Sequence, residues 1–267
     1  MYKRQLFAEI ARRKPAFVVH LGDFVVRGSS DSHWEFFDKC SKPLRESRVP
    51  ILPVIGNHEY FGSDRKALSN YFRRFPWLRK RTWYLFRWKR ILFLFLNSNF
   101  DELSEEENKR QLIFYKNMLK AASKDSAIDF LIVSTHHPPY SNNAEESPSR
   151  EVERFFVRDF LRLPKGGIFL SGHSHSYEHF FVASKIPTRS KHLIVSGGGG
   201  APRHKLNVDP ASRPYADLFK GPAKRFFHFL EVTYKEQDYK RPVLRISVIA
   251  LDNKKEKLYI ADSFKVP

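Results

Sequence analysis

With one cysteine, Cys40, in 267 residues, the chain cannot form an internal disulfide, so its fold rests on packing alone. A lone thiol suits a reducing or an oxidising compartment equally, and localisation stays open. Long apolar runs are missing too: stretches such as residues 91–96 fall far short of the roughly 20 residues a membrane-spanning helix needs. The first ten residues carry neither an export-signal core nor a helix cap, and read as an amphipathic helix already under way. The expectation is therefore a chain cut off at its beginning. Acidic residues are scarce, 29 against 47 Lys and Arg, for a formal charge of +18. That balance favours polyanions such as nucleic acid, anionic lipid or phosphorylated substrates without choosing among them, and a solubility or host-composition bias would produce it as well. Repeats, low-complexity segments and linkers are also absent, which with this length gives one domain over residues 1–267. An apolar fraction of 42% excludes a disordered chain.

What is present is a recurring pattern. After the opening helix, to about residue 14, an apolar run over 16–21 ends in Gly22-Asp23 and reads as a buried strand. A helix over about 34–45 leads through Pro50 to a second apolar run, 51–55, which stops at Gly56-Asn57-His58-Glu59. Residues 83–86 and 91–96 flank a basic turn as a hairpin, and helical periodicity follows over 105–122. The run 130–133 enters Ser134-Thr135-His136-His137-Pro138, a polar loop over 141–149 precedes a helix over 151–161, and a strand over 167–171 enters Gly172-His173-Ser174-His175. The last third reads as successive strands, including 226–234 and 242–251. Strands alternating with helices, with polar groups at the strand ends, predict an α/β sheet protein.

Asp23, Asn57-His58, His136 and the pair His173/His175 each follow directly on an apolar run. One Gly-Asp is ordinarily a turn, and one strand-end His ordinarily a structural residue. Independent turns give no reason for four strands to finish in oxygen and imidazole donors, whereas a metal site needs donors converging from separate rigid elements. Carboxylate, carboxamide and imidazole without thiolate suit Mn, Fe or Zn. A carboxylate can bridge two ions, and a pair of ions clamps both the attacking and the departing oxygen of a phosphoryl displacement.

In order, Gly22-Asp23, Gly56-Asn57-His58-Glu59, the His136 strand end and Gly172-His173-Ser174-His175 resemble four of the five motifs of calcineurin-like metallophosphoesterases. Residues 133–140, Tyr177-Glu178 and the loop Gly197-Gly198-Gly199-Gly200-Ala201-Pro202 look closest to the purple acid phosphatase branch. The resemblance implies a four-layer α-β-β-α sandwich, and a hydrolase acting on phosphomonoesters or phosphodiesters through a metal-activated hydroxide attacking in line. It implies two divalent metal ions, with Asp23 bridging them, Asn57, His136 and His173 on one, and His175 on the other. His58 is implied beside the leaving group, which it stabilises or protonates. His137 ranks below His136 as a ligand. Two departures stand out. Val26 occupies the position where the purple branch has its tyrosine, so no purple colour is expected. The family's first motif, an Asp-x-His at the end of a first strand, would lie ahead of residue 1; without it Asp23 and His175 alone serve their ion, so that site is expected to be weak. The rival reading is a degenerate, non-catalytic member that binds nucleic acid or anionic membrane through its basic surface.

His20 and His33 read as structural or surface residues. Glu59 and Glu178 are expected to orient neighbouring histidines or backbone. The glycine loop at 197–200 matches no phosphate-loop or dinucleotide spacing and reads as a tight turn. Residues 65–90 hold ten Lys or Arg, no acid and Trp77, Trp83 and Trp88, a mixture able to grip nucleic acid; a hairpin with core-facing aromatics accounts for it more simply.

Overall fold

The structure is a computed structural model that describes residues 2–186, 189–207, 209–237, 240–252 and 257–267. The first helix, α1, spans Tyr2–Arg12, and β1 follows at Val18–His20. Helix α2, Asp31–Glu46, starts where the Ser30 hydroxyl accepts the His33 amide, and β2 is Ile51–Pro53. Helix α3, Asp64–Arg74, lies in the basic stretch and has no counterpart in the sequence reading: it buries only Ala67, Asn70 and Tyr71, a stripe too narrow for periodicity to expose. The hairpin is β3, Tyr84–Trp88, with β4, Ile91–Phe95. Helix α4, Glu105–Lys124, opens with a capping box between Ser104 and Glu107. Strand β5 is Phe130–Thr135. The expected helix over 151–161 is broken into α5, Arg150–Val152, a π-turn at Glu153–Val157, and α6, Arg158–Arg162. Strands β6, Gly166–Ser171, β7, Tyr177–Val182, β8, Lys191–Ser196, β9, Phe227–Gln237, β10, Lys240–Asp252, and β11, Lys257–Val266, complete the order.

The strands form a mixed α/β architecture. Six make one sheet in the order β3-β4-β5-β6-β8-β7, with β4, β5, β6 and β8 parallel and the outer strands antiparallel. One face, with Leu94, Val133, Phe169 and Val195, packs on Tyr115 and Leu119 of α4 and on Phe156 and Phe160. The other face, with Phe93, Ile132, Leu170 and Ile194, packs on Leu52 of β2 and on Leu244, Ile246 and Val248 of β10. Behind that second layer, α1 and α2 bury Phe7, Ala11, Trp34 and Phe37 with Phe24 and Ile55. The result is helices, sheet, sheet, helices, as expected. Strands β4, β5 and β6 are buried on both faces, which explains their continuous apolar runs.

The second layer is not one continuous sheet. Strand β1 pairs with β2, β9 pairs with β10, and the two groups are separate among the described residues. Between them lies a cavity of about 530 Å³, lined by residues 15–23 on one side and 228–234 on the other. Leu6, Phe7 and Ile10 of α1 cover it, and Ile91, Phe93, Ile132 and Leu170 form its floor. The expected buried strand over 16–21 is accordingly a half-buried three-residue β1, because its outer edge faces this slot.

Candidate active site

The carboxyl ends of β1, β2, β5 and β6 meet at one end of the slot, where Asp23, His136, His173 and His175 line the same cavity. Gly22, at φ +97°, makes the approach possible, since a Cβ there would lie 2.4 Å from His136 Nδ1. Asp23 (φ 55°) and His173 (φ 57°) both sit in the left-handed region. Asp and His enter it more readily than most residues, at a cost on the order of 1 kcal/mol or more that the surrounding packing must offset.

Three donor atoms converge on His136 Nε2. Asn57 Oδ1 lies 3.0 Å away, His173 Nδ1 3.1 Å and Asp23 Oδ1 3.3 Å. His136 Nδ1 faces the Leu21 carbonyl at 2.7 Å and so carries a hydrogen, which in the neutral ring leaves Nε2 as a lone pair. A lone pair facing a carboxylate, a carboxamide oxygen and another imidazole is a cluster of acceptors that needs a cation, either a proton or a metal ion. The group therefore fits a divalent ion. The electrostatics agree: burial opposes charge on both His136 and Asp23, yet their mutual attraction raises the pKa of the first and lowers that of the second. His173 is pushed down to about 4 by burial and by the adjacent His136, which keeps it neutral and able to ligate. His137 also belongs to the cluster, its ring within 4.8 Å of His136 and His173, although its Nδ1 is engaged by Ser98 at 2.9 Å.

His175 holds its Nδ1 against the Pro202 carbonyl at 2.7 Å and stacks on His204. Its pKa is lowered, chiefly by burial and then by His204. His58 stands beside the cluster: Nδ1 contacts the Val26 carbonyl at 2.7 Å and Nε2 lies 4.0 Å from Asp23 Oδ2. Glu59 is fully buried and accepts the amides of Asp23, at 2.8 Å, and Gly56, at 2.9 Å, tying β1's end to β2's. Glu178 accepts the Ser141 hydroxyl and the Asn142 amide, each at 2.7 Å, anchoring the 141–149 loop. Sequence reasoning passed over Asn143, Glu146 and His204, which stand on loops with no apolar run to mark them. His20 stacks on Phe24, and the partly buried Trp88 and Tyr84 pack against the core as the hairpin reading expects. No described helix is long and apolar enough to cross a membrane.

Comparison with known proteins agrees with this fold. The chain superposes on GAP50, described as the anchor in the inner membrane complex of Plasmodium, with TM-score 0.66 and 16% identity over 99% of this chain and 84% of that one. It superposes on a dimetal phosphatase from Danio rerio with TM-score 0.62 and 14% identity over 99% of this chain and 88% of that one. Identities this low establish a shared fold. No curated protein matches the sequence. The family model for calcineurin-like phosphoesterase matches residues 3–177, the segment that supplies every strand end at the cluster, and the chain therefore belongs to the calcineurin-like phosphoesterase family.

Proposed function

We propose that the protein hydrolyses phosphomonoesters or phosphodiesters with divalent metal ions held by Asp23, Asn57, His136, His173 and His175. The observation carrying this reading is the convergence of Asp23, Asn57 and His173 donor atoms on His136 Nε2 within 3.3 Å. Asn57, His136 and His173 would hold one ion with Asp23, and Asp23 with His175 would serve a second. Bound divalent ions supply Lewis acidity towards phosphoryl oxygens and lower the pKa of water. His58, with Nδ1 on the Val26 carbonyl and the opposite nitrogen near Asp23, stabilises or protonates the departing oxygen. Glu59 fixes the backbone that carries Asp23, and Glu178 fixes the loop beside the His pair. Mn, Fe or Zn suit these donors.

Asp23 and His175 are the described residues that would hold the second ion. The slot between β1 and β9 ends beside both residues, and an extended segment laid in it would pair with two open strand edges. The +18 charge favours a second reading, a non-catalytic member that binds nucleic acid or anionic lipid through its basic surface. Within the purple acid phosphatase branch, Val26 predicts an iron-loaded protein without the tyrosinate colour.

Release of phosphate from an aryl phosphate with added Mn²⁺, lost in Asp23→Asn, is the expected result. Tight polyanion binding with no turnover would replace the hydrolase reading by the second one.

A further inference from the structure

We propose that Glu146 is a positioning residue for His173: its carboxylate holds the outer nitrogen of the imidazole and so turns the inner nitrogen, with its lone pair, towards the cluster. This inference rests on the metal-site reading of His173. Glu146 Oε2 lies 3.4 Å from His173 Nε2, while His173 Nδ1 lies 3.1 Å from His136 Nε2. A carboxylate only accepts hydrogen bonds, so its 3.4 Å approach favours the imidazole hydrogen on Nε2. In a neutral imidazole Nδ1 is then the free lone pair, and it is the atom that faces Asp23, Asn57 and His136.

A half-exposed ion pair is ordinarily worth little. What sets Glu146 apart is the way it is aimed. Asn143, buried behind the site, accepts the amides of Glu145 at 2.7 Å and Glu146 at 3.3 Å through Oδ1. Its Nδ2 donates at 2.7 Å to Ser174 Oγ, the residue between His173 and His175. One side chain thus ties the histidine turn to the loop carrying Glu146. The base of that loop is fixed again by buried Glu178, through Ser141 and Asn142, and by the Ala144 amide on the Lys205 carbonyl. The loop backbone that carries the acid is thus anchored beside the outer nitrogen of one imidazole. A carboxylate on the outer nitrogen of a metal-binding histidine fixes its tautomer and raises its basicity, and its removal weakens metal binding about 10- to 100-fold.

Two readouts test the assignment on the full chain: the His173 tautomer from long-range ¹H–¹⁵N correlation without metal, and Mn²⁺ affinity by calorimetry. In the wild type the Nε2–H form of His173 should dominate. Glu146→Ala should populate the other tautomer and weaken Mn²⁺ about 10- to 100-fold, with the melting temperature retained. Glu146→Gln keeps an accepting oxygen and should recover most of both. An unchanged tautomer with affinity unchanged in Glu146→Ala overturns the assignment, and so does equal loss in both variants. If the wild type binds no Mn²⁺, the metal-site reading fails, and the tautomer measurement still decides whether Glu146 orients His173.

Discussion

A methyl group on Gly22 would meet His136 Nδ1 at 2.4 Å and the Gly56 backbone at 2.9 Å, in a left-handed conformation that alanine tolerates poorly. Gly22→Ala is expected to cost about 2 kcal/mol or more of stability and to weaken Mn²⁺ at least tenfold, read by urea unfolding and calorimetry. His58 has a different job, because its Nδ1 is taken by the Val26 carbonyl and its Nε2 stands 4.0 Å from Asp23 Oδ2, outside the atoms gathered on His136. His58→Asn should therefore leave Mn²⁺ affinity in place and reduce turnover of alkyl phosphates about 100-fold or more, with a smaller loss on aryl phosphates whose departing oxygen needs no proton. Comparison of kcat for the two substrate types checks the role. Asp23, Asn57, His58, His136, His173 and His175 could be singled out in the sequence because each follows an apolar run, and the structure brings Asp23, Asn57, His136 and His173 into one cluster. Glu146 and Asn143 could not be singled out, because a loop residue's neighbours are set by the chain path and not by its own pattern.

Among the elements, the segment between β8 and β9 depends on one buried ion pair. Arg225 is fully buried and donates to Asp217 Oδ2 at 2.7 Å, to the Tyr177 carbonyl at 3.1 Å and to the Pro222 carbonyl at 2.7 Å. It thereby fastens the loop to the start of β7, just beyond the His173–His175 turn. Removing one partner of a buried pair leaves the other charge unmatched, so Arg225→Met is expected to lower stability by about 3–5 kcal/mol in urea denaturation. Strands β4, β5 and β6 were readable since burial on both faces leaves unbroken apolar runs. The π-turn at Glu153–Val157 was not, because a helical period conceals one extra residue in a turn, and α3 was hidden by a narrow buried stripe within a basic segment.

At the scale of the whole molecule, buried neutral histidines set the response to acid. Burial, aided by Lys3, lowers His20 to about 3, burial with His179 lowers His192 to about 3, and burial lowers His228 to about 4. The unfolded chain binds protons at these positions below about 6.5 and the folded one does so only near 3 to 4, so stability is lost as pH falls from about 6.5 towards 3. Urea midpoints that decline over this window, with the decline reduced in His192→Gln, are the expected outcome. The sequence by itself determined the class of the fold, the donor chemistry and the strand ends that carry it, because burial writes apolar periodicity into the chain wherever a strand is covered. Only the tertiary structure decided that the donors meet around His136 Nε2, that a slot separates β1 from β9, and that Glu146 reaches His173. Those are distances between residues far apart in sequence, and packing between layers sets them.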